Sequence, residues 1–239
     1  WVEPIVKNGN YHFEVKSEVL GNTGNVPDGT VTRQGGRCLV SGAAIPFEYI
    51  REQAKNGNMS QKLMAVVAQT KSGRVYVSPD DFQSLTALEV EPNRRPQNKI
   101  SHWPGRTNVV EYGLTTFGDL FTDRQLHALN TFSDLIDDVR SKIEDDALAA
   151  GMSKDPTSLE EGGFGAHAYA EAVSVYLSFT IDKCSDYWSS ICSWISQLGA
   201  VRNTFARQAI PMVWDFVEVN PFSGKVGSFD SMLTWIEKV

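Results

Sequence analysis

The stretch from Thr122 to Gly151 constrains the fold more than any other part of this sequence. Thr122-Asp-Arg-Gln125 has the form of a capping box, in which the threonine hydroxyl and the glutamine side chain each satisfy a backbone group left open at a helix start. Behind it Leu126, Leu129, Phe132, Leu135, Ile136, Val139 and Ile143 recur at helical spacing until Gly151. That spacing gathers them on one face of a helix of about eight turns. A helix with one apolar face needs a partner to bury it against, and the partner follows in sequence. After a polar loop with Pro156 and Glu160-Glu-Gly-Gly163, the residues Tyr169, Val173, Tyr176, Leu177, Ile181, Cys184, Trp188 and Ile191 trace a second apolar stripe. A third helix is expected from about Asn203 to Val219, kinked or broken at Pro211 and ended by Asn220-Pro221. From Ser228 onward, Phe229, Leu233, Trp235 and Ile236 open one more helix, which reads as cut off at Val239.

The N-terminal part reads differently. Tyr11 to Val15 alternates, and Gly21 to Gly29 is turn chemistry throughout, so residues 1–87 are expected to be β-rich. Pro46 to Gly57 suggests a short helix opened by proline. Met64 to Gln69 should pair with Arg74 to Val77 across Thr70-Lys-Ser-Gly73. Residues 88–111, with Glu91-Pro-Asn-Arg-Arg-Pro-Gln97 and Trp103-Pro-Gly105, lack periodicity and read as a linker or long loop, with 112–239 as a helical part. The fold class expected is therefore α+β.

The 239 residues, 41% hydrophobic and 21% charged, are enough to bury a sizeable core. A net charge of -7 works against a broad duplex-DNA footprint, so any nucleic-acid contact must be local. Three cysteines, Cys38, Cys184 and Cys192, are too few for a disulfide framework, which fits a reducing, cytoplasmic setting. No run of about 20 apolar residues argues for a membrane partner. Trp1 in place of methionine suggests an excised piece of a longer polypeptide.

Among local motifs, Arg37-Cys-Leu-Val-Ser-Gly42 has the shape of a zinc knuckle with serine at the second cysteine position. The β-rich part thus reads as a degenerate zinc ribbon without a metal. Gly162-Gly-Phe-Gly-Ala166 precedes a helix but follows a polar turn rather than a buried strand, which favours a flexible helix start over a phosphate site. His12, His102, His127 and His167 lie far apart with no evident nucleophile or ligand pattern. Asp80-Asp81, Asp137-Asp138 and Asp145-Asp146 are adjacent and diverge by about 100° on a helix, so they do not form acid/base pairs. The most distinctive segment is Arg202 to Phe216, where Arg202, Asn203, Arg207 and Gln208 offer donors suited to bases and phosphates. The plainer alternative is that its arginines pair with Asp215 or Glu218.

Four stretches together carry a resemblance: Trp1-Val-Glu-Pro-Ile5, Tyr112 to Leu126, Thr131-Phe-Ser-Asp-Leu135, and Arg202 to Phe216 running on to Asn220-Pro-Phe222. In this order they resemble the adenine-specific DNA methylases that carry an N-terminal domain of unknown function and a mid-chain zinc ribbon. In that family an Asp-Pro-Phe-x-Gly-x-Gly motif for S-adenosylmethionine lies upstream of such a region, and a catalytic Asp-Pro-Pro-Tyr lies downstream. Neither occurs here, and the family's second ribbon cysteine is replaced by Ser41. The resemblance implies a region between the two motifs of an N6-adenine DNA methyltransferase of a restriction or defence system. Its parent would use S-adenosylmethionine and DNA, while this chain alone would carry no catalytic or cofactor residues. Arg202, Asn203, Arg207 and Gln208 would be its DNA contacts, and the rest of the methyltransferase its nearest partner. The alternative is a non-catalytic module that binds other defence-system proteins.

Overall fold

A computed structural model of the chain describes residues 1–17, 26 and 28–238. The fold is mixed α and β with small antiparallel sheets, as an α+β class requires. It divides into two compact units, one of Trp1–Val90 with Glu111–Gly113, the other of Glu91–Val110 with Leu114–Val239. Most of the Gly21–Gly29 turn chemistry lies outside the described residues.

In the first unit, β1 (Val2–Lys7) pairs with β2 (Asn10–Val15) so that Val2 faces Val15 and Lys7 faces Asn10. Asn8 and Gly9 between them both have positive φ, 52° and 78°. This two-residue Asn-Gly turn matches the twist of the strands it joins. A three-stranded sheet follows, β3 (Val31–Thr32), β4 (Gly35–Arg37) and β5 (Ala44–Ile45), and α1 (Phe47–Lys55) begins directly after Pro46. β6 (Val66–Thr70) and β7 (Gly73–Val77) form the expected hairpin, with Thr70 and Gly73 paired and Lys71-Ser72 left as the turn. A short α2 (Asp81–Thr86) starts at a capping box made by Asp80 and Gln83. The unit's described interior is thin. Ala54 and Tyr112 are its buried hydrophobic residues, and the Arg51 guanidinium lies 5.6 Å from the Tyr112 ring while pairing with Glu111 at 2.9 Å.

The second unit is built on α3 (Asp123–Ala149) and α4 (Ala166–Tyr187), which pack along each other. The capping box at Thr122 and Gln125 is present: Gln125 N–H donates to the Thr122 hydroxyl and Thr122 N–H donates to the Gln125 side-chain oxygen Oε1. Two apolar clusters form the core. Ile100, Val109, Leu120 and Ile191 make the first; Cys184, Tyr187, Trp188 and Met232 make the second, with Phe132 stacked on Phe229 at 4.7 Å. Trp188 is almost fully buried, and its indole N–H donates to the Gly227 carbonyl at 2.7 Å. Burying about 200 Å² of such a ring is worth on the order of 5 kcal/mol before ordering entropy. α5 (Phe229–Ile236) caps this cluster with Met232, its first turn secured by the Ser228 hydroxyl accepting from Ser231 N–H. Among the described residues no helix is long and apolar enough to cross a membrane.

Three expectations for this unit need correction. The helix expected over 203–219 is absent, and the chain there runs in turns and bends. Tertiary bonds claim its first residues, since Thr204 N–H and Phe205 N–H both donate to Asp186 of α4, and Pro211 has no N–H to give. α4 stops at Tyr187, so Trp188 and Ile191 reach the core from the turn that follows and not from the helix. That turn leads into an unexpected hairpin, β8 (Ser193–Ile195) with β9 (Ala200–Arg202). Residues 91–107 form no helix or named strand, yet Ile100 belongs to the core and Arg95 donates to the Gly118 carbonyl at 2.8 Å.

Candidate nucleic-acid interface

The segment holding Arg202, Asn203, Arg207 and Gln208 is organised by one buried carboxylate. Asp186, 8% exposed, sits one residue before the end of α4. Its Oδ2 accepts from Asn203 Nδ2 at 2.7 Å and Lys183 Nζ at 3.1 Å, and its Oδ1 accepts from Phe205 N–H at 3.0 Å. Its backbone carbonyl takes both the amide and the hydroxyl of Thr204, at 2.8 and 2.7 Å. The Thr204 hydroxyl also meets Ser189 Oγ at 2.7 Å, beside the buried Cys192 thiol, which donates to the Tyr187 carbonyl at 3.1 Å. Residues 203–205 are thus fixed by a fully partnered polar network, the arrangement that rigidifies a loop.

Of the four predicted contact residues, Asn203 spends its carboxamide on Asp186 and acts as a support. Arg202, Arg207 and Gln208 are exposed. Among the described residues neither guanidinium has an ion-pair or side-chain hydrogen-bond partner. Of the two acids expected as partners, Asp215 and Glu218, the second is engaged elsewhere, because Glu218 accepts from Arg124 Nε at 2.9 Å and Nη2 at 2.5 Å. Phe205, between the two arginines, is 63% exposed on this pinned segment.

A second segment joins the first. Arg106 Nη1 donates to the Gln208 carbonyl at 3.2 Å, Ile210 N–H donates to the Arg106 carbonyl at 2.6 Å, and Val109 N–H donates to the Ile210 carbonyl at 3.5 Å. Trp103, 67% exposed, opens the turn that carries Arg106, whose N–H donates to the Trp103 carbonyl at 2.9 Å. Residues 99–110 and 187–214 contain Lys99, Arg106, Arg202 and Arg207 and not one Asp or Glu. In a chain with 29 acidic residues and a net charge of -7, these two segments therefore carry cationic side chains alone. Arg106 and Trp103 were not among the expected site residues. The absence of acids from both segments was the signal that would have found them.

Other motifs resolve into structure. Gly162-Gly-Phe-Gly-Ala166 does open α4, but its amides are engaged: Gly162 N–H donates to the Leu159 carbonyl at 3.0 Å, Gly163 N–H to the Ser158 carbonyl at 2.9 Å and Ala166 N–H to the Ser153 carbonyl at 3.0 Å. The Asp155 carboxyl, beside this helix start, is held below its usual range chiefly by the Thr157 hydroxyl and amide, which donate to it at 2.6 and 3.0 Å. A β-carbon on Gly165 would lie 2.6 Å from the Asp155 side chain, which explains the glycine. His167 does have partners. It bridges Glu144 of α3 at 3.1 Å and Glu171 of α4 at 3.4 Å, and the Glu144 bond with both charges raises its pKa against desolvation and Arg140.

Cys38 to Gly42 forms a tight turn between β4 and β5, with Ser41 N–H donating to the Cys38 sulfur at 3.5 Å and Gly42 N–H to the Cys38 carbonyl at 2.9 Å. The Ser41 side chain first, and then the Ser41 and Val40 amides, lower the thiol's pKa. Among the described residues no three of His, Cys, Asp and Glu gather as a metal site.

Compared with known family models, curated proteins and solved structures, the chain matches none.

Proposed function

We propose that the second unit contacts DNA through the acid-free surface of residues 99–110 and 202–208, as the non-catalytic central region of an adenine-specific DNA methyltransferase. The observation that carries the DNA contact is the pair of exposed guanidiniums of Arg202 and Arg207, unpartnered among the described residues, on a segment locked by Asp186. Phosphates bind to such groups without first breaking an internal ion pair, and Gln208 is exposed beside them to read a base edge. The methyltransferase parentage rests on the resemblance alone. In that setting S-adenosylmethionine would be bound by other parts of the parent protein and this chain would supply contacts, not chemistry.

Fluorescence anisotropy with a labelled duplex tests the contact. The full chain should bind at low salt and lose about 100-fold in affinity between 50 and 200 mM salt if some four phosphates are neutralised. An Arg202→Ala/Arg207→Ala variant should bind more weakly at low salt. Absence of binding to duplex and to single strand alike at low salt, or binding indifferent to salt, would refute the proposal. Parentage is tested separately by the coding sequence on either side of this region: the cofactor motif upstream and the catalytic tetrapeptide downstream support it, and their absence removes it.

A second reading, a protein-interaction module of a defence system, is favoured by one observation. The side of the helix pair lined by Ile143, Ala147, Tyr169 and Val173, with Asp146 among them, is an open and mainly apolar groove, and Leu135 and Val139 stay exposed although they lie on the α3 stripe.

A further inference from the structure

The surface described above has two kinds of group, and only one suits a duplex. Four cations, Lys99, Arg106, Arg202 and Arg207, are few for a duplex footprint on a chain of net charge -7. The other kind is aromatic. Phe205 is 63% exposed and Trp103 67% exposed, each on one of the two joined acid-free segments. Phe205 is not on a loose tip: its amide donates to the Asp186 carboxylate, and Thr204 before it is buried and bonded at both amide and hydroxyl. The Trp103 backbone is fixed likewise, with its N–H donating to the Thr107 hydroxyl at 2.7 Å and its carbonyl accepting from Arg106 and Thr107. Large rings presented to water on rigid backbone, flanked by guanidiniums that are unpaired among the described residues, are the components of a stacking platform for bases. A duplex hides its base faces, so such rings gain nothing from it, whereas unpaired bases offer both faces.

We infer that this site takes unpaired DNA, a single strand or an opened duplex, with a base stacked on Phe205, a second on Trp103, and the backbone phosphates on Arg202 and Arg207. The inference rests on the DNA contact proposed above and narrows it. Gln208, exposed beside Arg207, is the group in reach of a base edge, and Asn203 and Asp186 are positioning residues that hold the platform without touching the strand.

The test uses the full chain and labelled 12-nucleotide DNA, single-stranded and as the matching duplex, at one low salt concentration. Single strand should bind at least about tenfold more tightly than duplex. Phe205→Ala should weaken single-strand binding by about 5- to 150-fold, the range for loss of one stacked base, with duplex binding unchanged. Phe205→Tyr should retain single-strand binding and Phe205→Leu should not, which separates stacking from mere apolar contact. Because Phe205 is exposed, these variants are expected to fold, and an unchanged circular dichroism spectrum checks that. Duplex bound as well as single strand overturns this inference and leaves the DNA contact standing; binding to neither overturns both. Single-strand affinity unchanged in Phe205→Ala also overturns it, as does tighter binding of an RNA 12-mer of the same sequence.

Discussion

Asp186 is the residue on which the proposed surface most depends, and its removal has a calculable cost. Asp186→Ala leaves the Phe205 amide and the Asn203 carboxamide without an acceptor and frees Lys183 from its partner at 3.1 Å. Each of these two part-buried donors left unpaired costs about 1–3 kcal/mol, so the second unit should lose about 2–6 kcal/mol. Lys183 adds little to that sum, because its ammonium remains solvated. Asp186→Asn keeps one carbonyl oxygen for Phe205 N–H but turns an amide toward Asn203 and Lys183, and should cost about 1–2 kcal/mol. Urea unfolding followed by tryptophan fluorescence reads the loss, with the transition of the Trp188-containing unit fitted separately because two units need not unfold together. Hydrogen exchange localises it: the Phe205 amide, which loses its acceptor, should exchange faster in Asp186→Ala while those of mid-α3 are unchanged. An Asp186→Ala chain within about 0.5 kcal/mol of the parent, with Phe205 exchange unaltered, would refute the idea that this carboxylate builds the loop.

Two further predictions concern titratable groups. The pKa of His167 is raised above 6.5 by Glu144 and Glu171, so its contribution is fully present below the unfolded value and fades as pH climbs through the higher folded value. The urea midpoint of the second unit should therefore fall as pH rises above 6.5, the His167→Gln variant should lack this component, and a ring titration by NMR with a midpoint at or below 6.5 would contradict it. The thiols should differ in reactivity, since burial pushes Cys184 up to about 12 and Cys192 is fully buried, whereas Cys38 is partly exposed with a lowered pKa. An aromatic disulfide reagent at pH 7 should label Cys38 first in the folded chain, and prompt labelling of Cys184 would show the second cluster to be looser than described.

The sequence carried the elements whose signal is local. Thr122 and Gln125 announce α3 because a capping box is a four-residue pattern, and the period of Leu126 to Ile143 needs no knowledge of what covers it. The β6–β7 hairpin was legible for the same reason, and the β1–β2 turn at Asn8-Gly9 carries as strong a signal, one that was overlooked. What failed was long-range. The segment from Asn203 has helical composition, but Asp186, 17 residues earlier, takes its side chain and a carboxylate bond to Phe205 N–H, which no pattern inside 203–219 reveals. Likewise Ile100 and Val109 sit in a stretch that reads as a loop, because prolines and polar residues set its irregular backbone while two apolar side chains still reach the core. The candidate site was half legible. Arg202, Arg207 and Gln208 are exposed as a contact surface requires, Asn203 is a support, and Arg106 and Trp103 join only through bonds that span about a hundred residues of chain.

The central claim is that Arg202 and Arg207 meet the phosphates of a bound strand. Its most direct test is the slope of log affinity against log salt for single-stranded DNA, measured by anisotropy for the parent chain and for Arg202→Ala/Arg207→Ala. Each phosphate neutralised on a single strand contributes about 0.7 to that slope, so the double variant should be shallower by about 1.4. A slope equal to the parent's would contradict the claim, because the two guanidiniums would then not be where the strand binds.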